Sequence, residues 1–163
     1  MVRWEKLTLK SIEENAIIKV KSEQISDDDK NFIDIDSVGN FYQRGGKFYI
    51  FYKESAEMQM SDSTVMLIVD KNKVTMRRNG EYETKFNFIE GESESVVYYT
   101  PFGEFNFTLN TISVSSDLKD NGGWVEFEYT LETGDSLQKN KVSVSVERKE
   151  WLWWKLRQLF LFY

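Results

Sequence analysis

The sequence contains neither cysteine nor histidine, and it has one proline among its 163 residues. These absences exclude a disulfide, a thiol nucleophile, a histidine-based catalytic triad, a cysteine–histidine zinc site and a haem ligated by either residue. We expect no enzyme, because the commonest acid–base and nucleophilic groups are missing. The glycine-rich loops that bind nucleotides are also absent, so we predict no cofactor.

Long apolar runs are missing as well. No run of about 18 apolar residues is available to cross a bilayer as a helix. Met1–Lys10 lacks the apolar core that secretory signals carry. We therefore expect a cytoplasmic protein without a transmembrane segment.

Acidic residues outnumber basic ones, 27 to 21, which gives a net charge of −6. Segment 148–163 has four basic residues and one acidic residue, a net charge of +3, which leaves −9 for segment 1–147. An acidic body disfavours nucleic-acid binding, which requires neutralisation of phosphates. With 40% apolar and 29% charged residues, a chain of this length is typical of one globular domain.

Apolar and polar residues alternate through most of the chain from about residue 16 to residue 147. Val142, Val144 and Val146, for example, are each followed by a polar residue. A period of two with one apolar face indicates half-buried strands. The predicted strands are residues 16–24, 31–36, 47–55, 63–69, 73–78, 84–89, 95–100, 103–114, 122–132 and 137–147.

Turn residues separate these segments. The strongest signal is Asn79-Gly80, which favours a tight hairpin turn between Lys73–Arg78 and Tyr82–Ile89. Short connections without a helical period favour a closed antiparallel barrel or a sandwich. We predict one domain over residues 16–148, an N-terminal extension at 1–15, and a tryptophan-rich apolar tail at 149–163.

The order of these segments resembles the YwiB-like family, whose members are small bacterial β-barrels of the calycin type. The resemblance spans roughly residues 17–148. It implies an all-β, up-and-down barrel of eight to ten strands, lipocalin-like in shape, with no known enzyme activity and no established catalytic residues. The matching segments are YIFYKE at 49–54, VTMRRNG at 74–80, YYTPFGEF at 98–105, LNT at 109–111, SDL at 116–118, Gly123 and EYTL at 128–131.

Arg78 is the most informative polar residue, because it shares a strand face with Val74 and Met76 and so points into the predicted barrel. A cation at that position suits a carboxylate or phosphate head group. The alternative is a structural ion pair with Glu54.

The strand tyrosines add hydroxyl groups to an aromatic interior, which suits an amphipathic guest, although the same rings could simply fill the core. Our leading prediction is non-enzymatic binding of a small apolar or amphipathic ligand inside the barrel. The predicted ligand-binding residues are Arg78, Glu54, Tyr52, Tyr98 and Tyr129. The alternative is a protein-interaction module with a filled barrel, acting through its outer face and its tail.

Two acidic features have ordinary explanations. The run Asp27–Asp29 fails an EF-hand register, because Phe32 stands where a glycine is needed. Glu126 and Glu128 lie on one strand face, about 6.5–7 Å apart, but this face is opposite the apolar one and is expected to be exposed. We therefore predict neither a metal site nor a carboxylate pair that acts in catalysis.

The tail places several aromatic residues close together, and a helix would put Leu152, Leu156 and Leu159 on one stripe. The tail is too short to span a bilayer. So apolar a segment suits packing on its own barrel, on a partner such as a second copy in a homodimer, or on a membrane surface. The predicted contact residues are Trp151, Trp153, Trp154 and Phe160.

Overall fold

The computed structural model describes residues 14–54, 63–80, 83–149 and 158–159, and its regular elements are ten antiparallel strands. This confirms the predicted all-β class and the strand count. The strands are β1 (Ala16–Ser26), β2 (Asp29–Arg44), β3 (Lys47–Glu54), β4 (Ser63–Asp70), β5 (Lys73–Asn79), β6 (Thr84–Ile89), β7 (Ser93–Thr100), β8 (Gly103–Lys119), β9 (Gly122–Thr133) and β10 (Ser136–Arg148).

All ten strands form one sheet in the order β6-β5-β4-β3-β2-β1-β10-β9-β8-β7. The first and last strands pair along the whole of β1, from Ala16 opposite Arg148 to Ser26 opposite Gln138. The sheet curls until its two edge strands, β6 and β7, approach each other, and Glu83 and Tyr99 form an isolated bridge there. The barrel is therefore nearly closed. The sequence favoured a closed barrel or a sandwich, but β6 and β7 form no ladder with each other, so closure is incomplete at this point.

The barrel interior is built from alternate residues of each strand. Burying a large apolar side chain contributes about 1.5–3 kcal/mol, so this inner face is the main source of stability. Phe88 illustrates the packing, because its ring lies 4.5 Å from that of Phe127 and 4.7 Å from that of Tyr129, centroid to centroid. The largest fully buried side chains are Phe41, Phe88, Phe127, Ile18, Ile50, Leu67, Leu109, Val65, Val74, Val125, Val144 and Asn140.

Strand β2 is much longer than the predicted 31–36. Its residues up to Gly39 pair with β1, and those from Asn40 onward pair with β3. At the change of partner the backbones lie so close that a Cβ on Gly39 would be 1.9 Å from the Phe51 carbonyl oxygen. Only glycine fits this corner of the barrel.

The predicted tight turn at Asn79-Gly80 is wrong. Arg78 pairs with Thr84, so the connection is longer than a two-residue turn. The observed register places Phe86 and Phe88 opposite Met76 and Val74 on the inner face. A two-residue turn would have put charged residues of β6 inside the barrel, and burial of the apolar face decides the register.

Of the N-terminal extension, the structure describes Glu14 and Asn15. The Asn15 side chain accepts a hydrogen bond from the Phe41 N–H at 2.7 Å and donates one to the Phe41 carbonyl oxygen at 3.0 Å. The Asn15 side chain therefore fixes the start of β1 against β2.

No helix is among the regular elements of the described residues, so the predicted helical tail is not shown, although Lys149, Gln158 and Leu159 themselves have α-helical backbone. Of segment 149–163, the structure describes Lys149, Gln158 and Leu159. The predicted contact residues Trp151, Trp153, Trp154 and Phe160 lie outside the described residues. Within the described part of the chain, no helix has the length and apolar character needed to cross a membrane.

Candidate functional site

Arg78 lies on the inner face of β5, as predicted, between Val65 on β4 and Thr84 on β6. Its side chain is 15% exposed. The guanidinium donates two hydrogen bonds to Glu54, from Nε to Oε2 at 3.1 Å and from Nη2 to Oε1 at 2.9 Å. Arg78 therefore forms the ion pair with Glu54 that the sequence offered as the alternative to a ligand anchor.

The chain positions Glu54 at the end of β3, opposite Ser63 at the start of β4. The Ser63 hydroxyl donates a hydrogen bond to Glu54 Oε2 at 2.9 Å. Burial disfavours the charged form of Arg78, but the Glu54 carboxylate and its hydrogen bonds outweigh this effect and raise the pKa of Arg78. The pair is electrically neutral and well satisfied, which is the condition for keeping two charges buried.

Three tyrosines interact electrostatically with this pair, and all three were predicted as site residues. Burial raises the pKa of Tyr52, with a further contribution from the Glu54 carboxylate. Burial likewise raises the pKa of Tyr129 to about 12, although the charge of Arg78 opposes the shift. The electrostatic interaction with Tyr98 also raises the pKa of Arg78. The structure thus brings all five predicted ligand-binding residues into one cluster, and the two buried phenols stay protonated at neutral pH.

The half of the interior nearest this cluster contains several half-buried apolar side chains beside fully buried ones. We call it the upper interior: it comprises the cluster and the inward-facing residues of β2, β7, β8, β9 and β10 at the same end. The strand pairing places these side chains on the inner face, since each lies opposite or two residues from a buried one. The half-buried apolar members are Ile35, Tyr98, Phe107, Leu131 and Val142.

The opposite half of the interior is densely packed. Phe41, Phe88 and Phe127 are at most 1% exposed, and Phe41 stacks on Phe48 with centroids 5.7 Å apart. Side chains so completely covered leave no room beside them for a water-sized probe. Phe48, Val114 and Leu118 at that end are half-buried as well, so the hydroxyl groups and the ion pair, rather than burial alone, distinguish the upper interior as a place for a guest.

Two buried polar atoms in this region lack a hydrogen-bond partner in the described part of the chain, the Thr84 hydroxyl and the Asn140 side-chain amide nitrogen. Thr84 is 6% exposed and lies opposite Arg78, while Asn140 is 2% exposed and lies opposite Tyr129. A buried donor without a partner costs about 1–3 kcal/mol, so each is a position where a ligand or a water would be stabilised.

A cleft of about 510 Å³ opens beside this region, where β6 faces β7. Its lining includes Arg78 and Thr84 from the interior and Arg77 and Lys85 from the outer face. Arg77 is exposed. The Arg78 cluster therefore lies within reach of the seam between the two edge strands.

The remaining acidic candidates are structural. Glu128 pairs with Lys139 at 2.9 Å, and Glu126 accepts a hydrogen bond from Ser143 at 3.3 Å, so both have partners on neighbouring strands. Asp27 lies in the β1–β2 turn with a φ of 51°. Among the described ranges, no group of histidine, cysteine, aspartate or glutamate side chains is arranged to hold a metal ion.

Ser63, Thr84 and Asn140 are site residues that the sequence reasoning missed. The period of two could have found them, because Ser63 continues the inner face of Val65 and Thr84 that of Phe86. Alternation identifies such polar residues as inward-facing, but it does not indicate which of them meet across the barrel.

Comparison with known proteins agrees with this architecture. Residues 18–144 match the family described as a domain of unknown function, DUF1934. The chain is 27% identical over 118 residues to the uncharacterised β-barrel protein YwiB of Bacillus subtilis, covering 72% of this chain and 82% of that protein. The crystal structure of YwiB from the same bacterium superposes with a TM-score of 0.74 at 22% identity, covering 85% of this chain and 96% of the other.

Proposed function

We propose that this chain, which belongs to the DUF1934 family of β-barrel proteins, binds a small amphipathic molecule in its upper interior without changing it chemically. One observation supports this proposal above the others. Apolar side chains that face inward stay half-buried beside a cluster of tyrosine hydroxyls and a buried ion pair. An apolar wall with a few polar groups is the usual make-up of a small-molecule site.

The ion pair restricts which polar head groups a guest can carry. Glu54 already occupies the Nε–Nη2 edge of the Arg78 guanidinium and neutralises its charge. An anionic head group would have to compete with this carboxylate, or add an uncompensated negative charge to a buried site. A neutral polar end, such as a hydroxyl or an amide, instead finds hydrogen-bonding partners in the tyrosines. The proposed guest is therefore an uncharged amphiphile.

Native mass spectrometry of the freshly purified protein tests the proposal. We expect an excess mass that survives gentle ionisation and disappears on denaturation. The neighbours Tyr98 and Tyr99 offer a matched pair, because Tyr98 faces inward and Tyr99 is 51% exposed. Tyr98→Ala should lose the excess mass, whereas Tyr99→Ala should keep it. A clean polypeptide mass, together with no uptake of added 1-dodecanol, would contradict the proposal.

The second candidate is a protein-interaction module that acts through its outer face and tail. It is favoured by the packed half of the interior and by two rings at the surface, Phe102 at 89% and Phe32 at 69% exposure. Removal of residues 151–163 would then change the assembly state measured in solution. The lipocalin-like shape, the cytoplasmic location and a homodimer stay predictions under either candidate.

A further inference from the structure

The seam between β6 and β7 is bounded at both ends. At one end, the turn that follows β6 is tied to β8 by two backbone hydrogen bonds, Gly91 N–H to the Thr111 carbonyl and Thr111 N–H to the Glu92 carbonyl. At the other end, Glu83 and Tyr99 form an antiparallel bridge. Between these points β6 and β7 are not neighbours in the sheet. The seam is therefore a slit in the barrel wall that is tied firmly at the turn and held at its other end by a single bridge, which can open.

The cleft at this slit is bordered by residues from both faces of the sheet. Successive side chains of a strand point to opposite faces of the sheet, so a surface groove on one face is lined by alternate residues. This cleft is lined instead by consecutive pairs on three strands: Arg77 and Arg78, Thr84 and Lys85, and Val96 and Val97. One member of each pair faces inward and the other outward. The cleft is thus an open groove on the outer surface whose lining includes inward-facing residues at the edge of the upper interior.

A side-chain contact spans the slit. The Asn87 N–H on β6 donates a hydrogen bond to Glu94 Oε1 on β7 at 2.9 Å, in place of the backbone acceptor that a paired strand would supply. A side chain can release this N–H by changing its rotamer, whereas a backbone ladder would have to separate. Glu94 is therefore suited to act as a latch.

The charged residues at the slit protect it from other strands. Arg77 and Lys85 lie directly opposite each other on the outer face of β5 and β6, and both are exposed. Charged side chains on sheet edges disfavour pairing with a strand of another molecule. This arrangement leaves the edge of β6 without a ladder partner from β7 while disfavouring its pairing with another molecule.

We propose that the slit between β6 and β7 is a side portal through which an uncharged amphiphile enters the upper interior, with Glu94 as its latch. This inference rests on the proposed binding function. Inside the slit the entering molecule would meet the buried Thr84 hydroxyl, which has no partner among the described residues. The Arg78–Glu54 pair lies immediately beyond it.

The test is to lock the slit with a disulfide. The chain has no cysteine, so the double variant Glu83→Cys/Tyr99→Cys carries a single pair of thiols. Residues that oppose each other in an antiparallel bridge lie about 4.5–5.5 Å apart between Cα atoms, a separation that a disulfide spans. The probe is Prodan, an uncharged amphipathic fluorophore, and its association and dissociation rates are measured by stopped-flow fluorescence for the oxidised and reduced forms.

We expect oxidation to slow both rates about tenfold or more while leaving Kd unchanged, and dithiothreitol to restore them. If the oxidised protein binds and releases Prodan as fast as the dithiol form does, the portal is overturned, while the proposed binding function is unaffected. Absence of Prodan binding in the wild-type protein would overturn both.

A latch variant gives an independent reading if the disulfide does not form. Glu94→Ala removes the acceptor of the Asn87 N–H and should raise both rates several-fold at unchanged Kd, whereas Glu94→Gln keeps an acceptor oxygen and should stay near the wild-type rates. Equal rates for Glu94→Ala and the wild type would contradict the role of the latch and of the slit.

Discussion

The charge of Arg78 is held in the barrel by one carboxylate. Its partner Glu54 has a side chain only 7% exposed, and Ser63 donates a further hydrogen bond to it. A buried pair of this kind contributes little net stability against an apolar replacement, but loss of one partner leaves an uncompensated buried charge. The pair therefore determines which single substitutions the interior tolerates.

We expect Arg78→Met to lower the free energy of unfolding by about 3–5 kcal/mol, because the Glu54 carboxylate stays buried without a cation. The double variant Arg78→Met/Glu54→Gln should lose less than the sum of its single variants. Urea unfolding at neutral pH measures all three. Arg77→Met is the matched control, since Arg77 is exposed, and it should change stability by no more than about 0.5 kcal/mol. Additive losses would contradict the coupling of the pair.

At the scale of elements, β2 joins two parts of the barrel wall. Its first part pairs with β1 and its last part with β3, and Gly39 lies at the change of partner. Besides the Phe51 carbonyl, a Cβ on this residue would lie 2.6 Å from Ile18 Cδ1 in the core. The obstacle is backbone on one side and packed core on the other, and neither yields easily.

Gly39→Ala should therefore destabilise the protein by about 3 kcal/mol or more, as overpacking against backbone does in its severe cases. Gly45→Ala is the control at the β2–β3 turn. Nothing lies within 4 Å of a Cβ there, but φ is +61°, so we expect a cost of only about 1–2 kcal/mol for the left-handed conformation. Thermal and urea unfolding of both variants measure the difference, and equal losses would show that the corner at Gly39 is not tightly packed.

The same corner shows why the sequence predicted most strands but not all of β2. Val142, Val144 and Val146 display the period of two directly, and β10 was predicted nearly in full. On β2, by contrast, the inner positions at 37 and 39 are Ser37 and Gly39, which carry no apolar signal. Glycine is required there by a neighbouring backbone, and such a contact between distant segments leaves no local pattern.

The site was predictable to a similar degree. The alternation around Val74 and Met76 placed Arg78 inside, and the structure confirms this position. The contact with Glu54 depends on how β3, β4 and β5 are registered, and the two-residue turn expected at Asn79-Gly80 implied a different register for β6. Period-two patterns therefore identify the faces of strands, while partners and the position of the seam depend on long-range pairing.

At the scale of the whole molecule, the first and last strands of the sequence pair with each other. The barrel is open instead between β6 and β7, two strands from the middle of the sequence. β1 and β10 pair along eleven residues, whereas β6 and β7, which follow each other in sequence, stay apart. An edge strand has backbone groups without ladder partners, so local opening costs least there. The seam is consequently the part of the barrel wall where we expect the lowest protection against exchange with solvent.

Amide hydrogen exchange measured by NMR tests this expectation residue by residue. The Asn87 N–H points across the slit to Glu94, and because N–H groups alternate along a strand, the Lys85 N–H points the same way while those of Phe86 and Phe88 point to β5. We expect Lys85 to exchange about tenfold or more faster than Phe86. Asn87 should fall between them in the wild type and reach the rate of Lys85 in Glu94→Ala. Protection of Lys85 equal to that of Phe86 would mean that β6 and β7 are joined by a backbone ladder in solution and that the barrel has no slit.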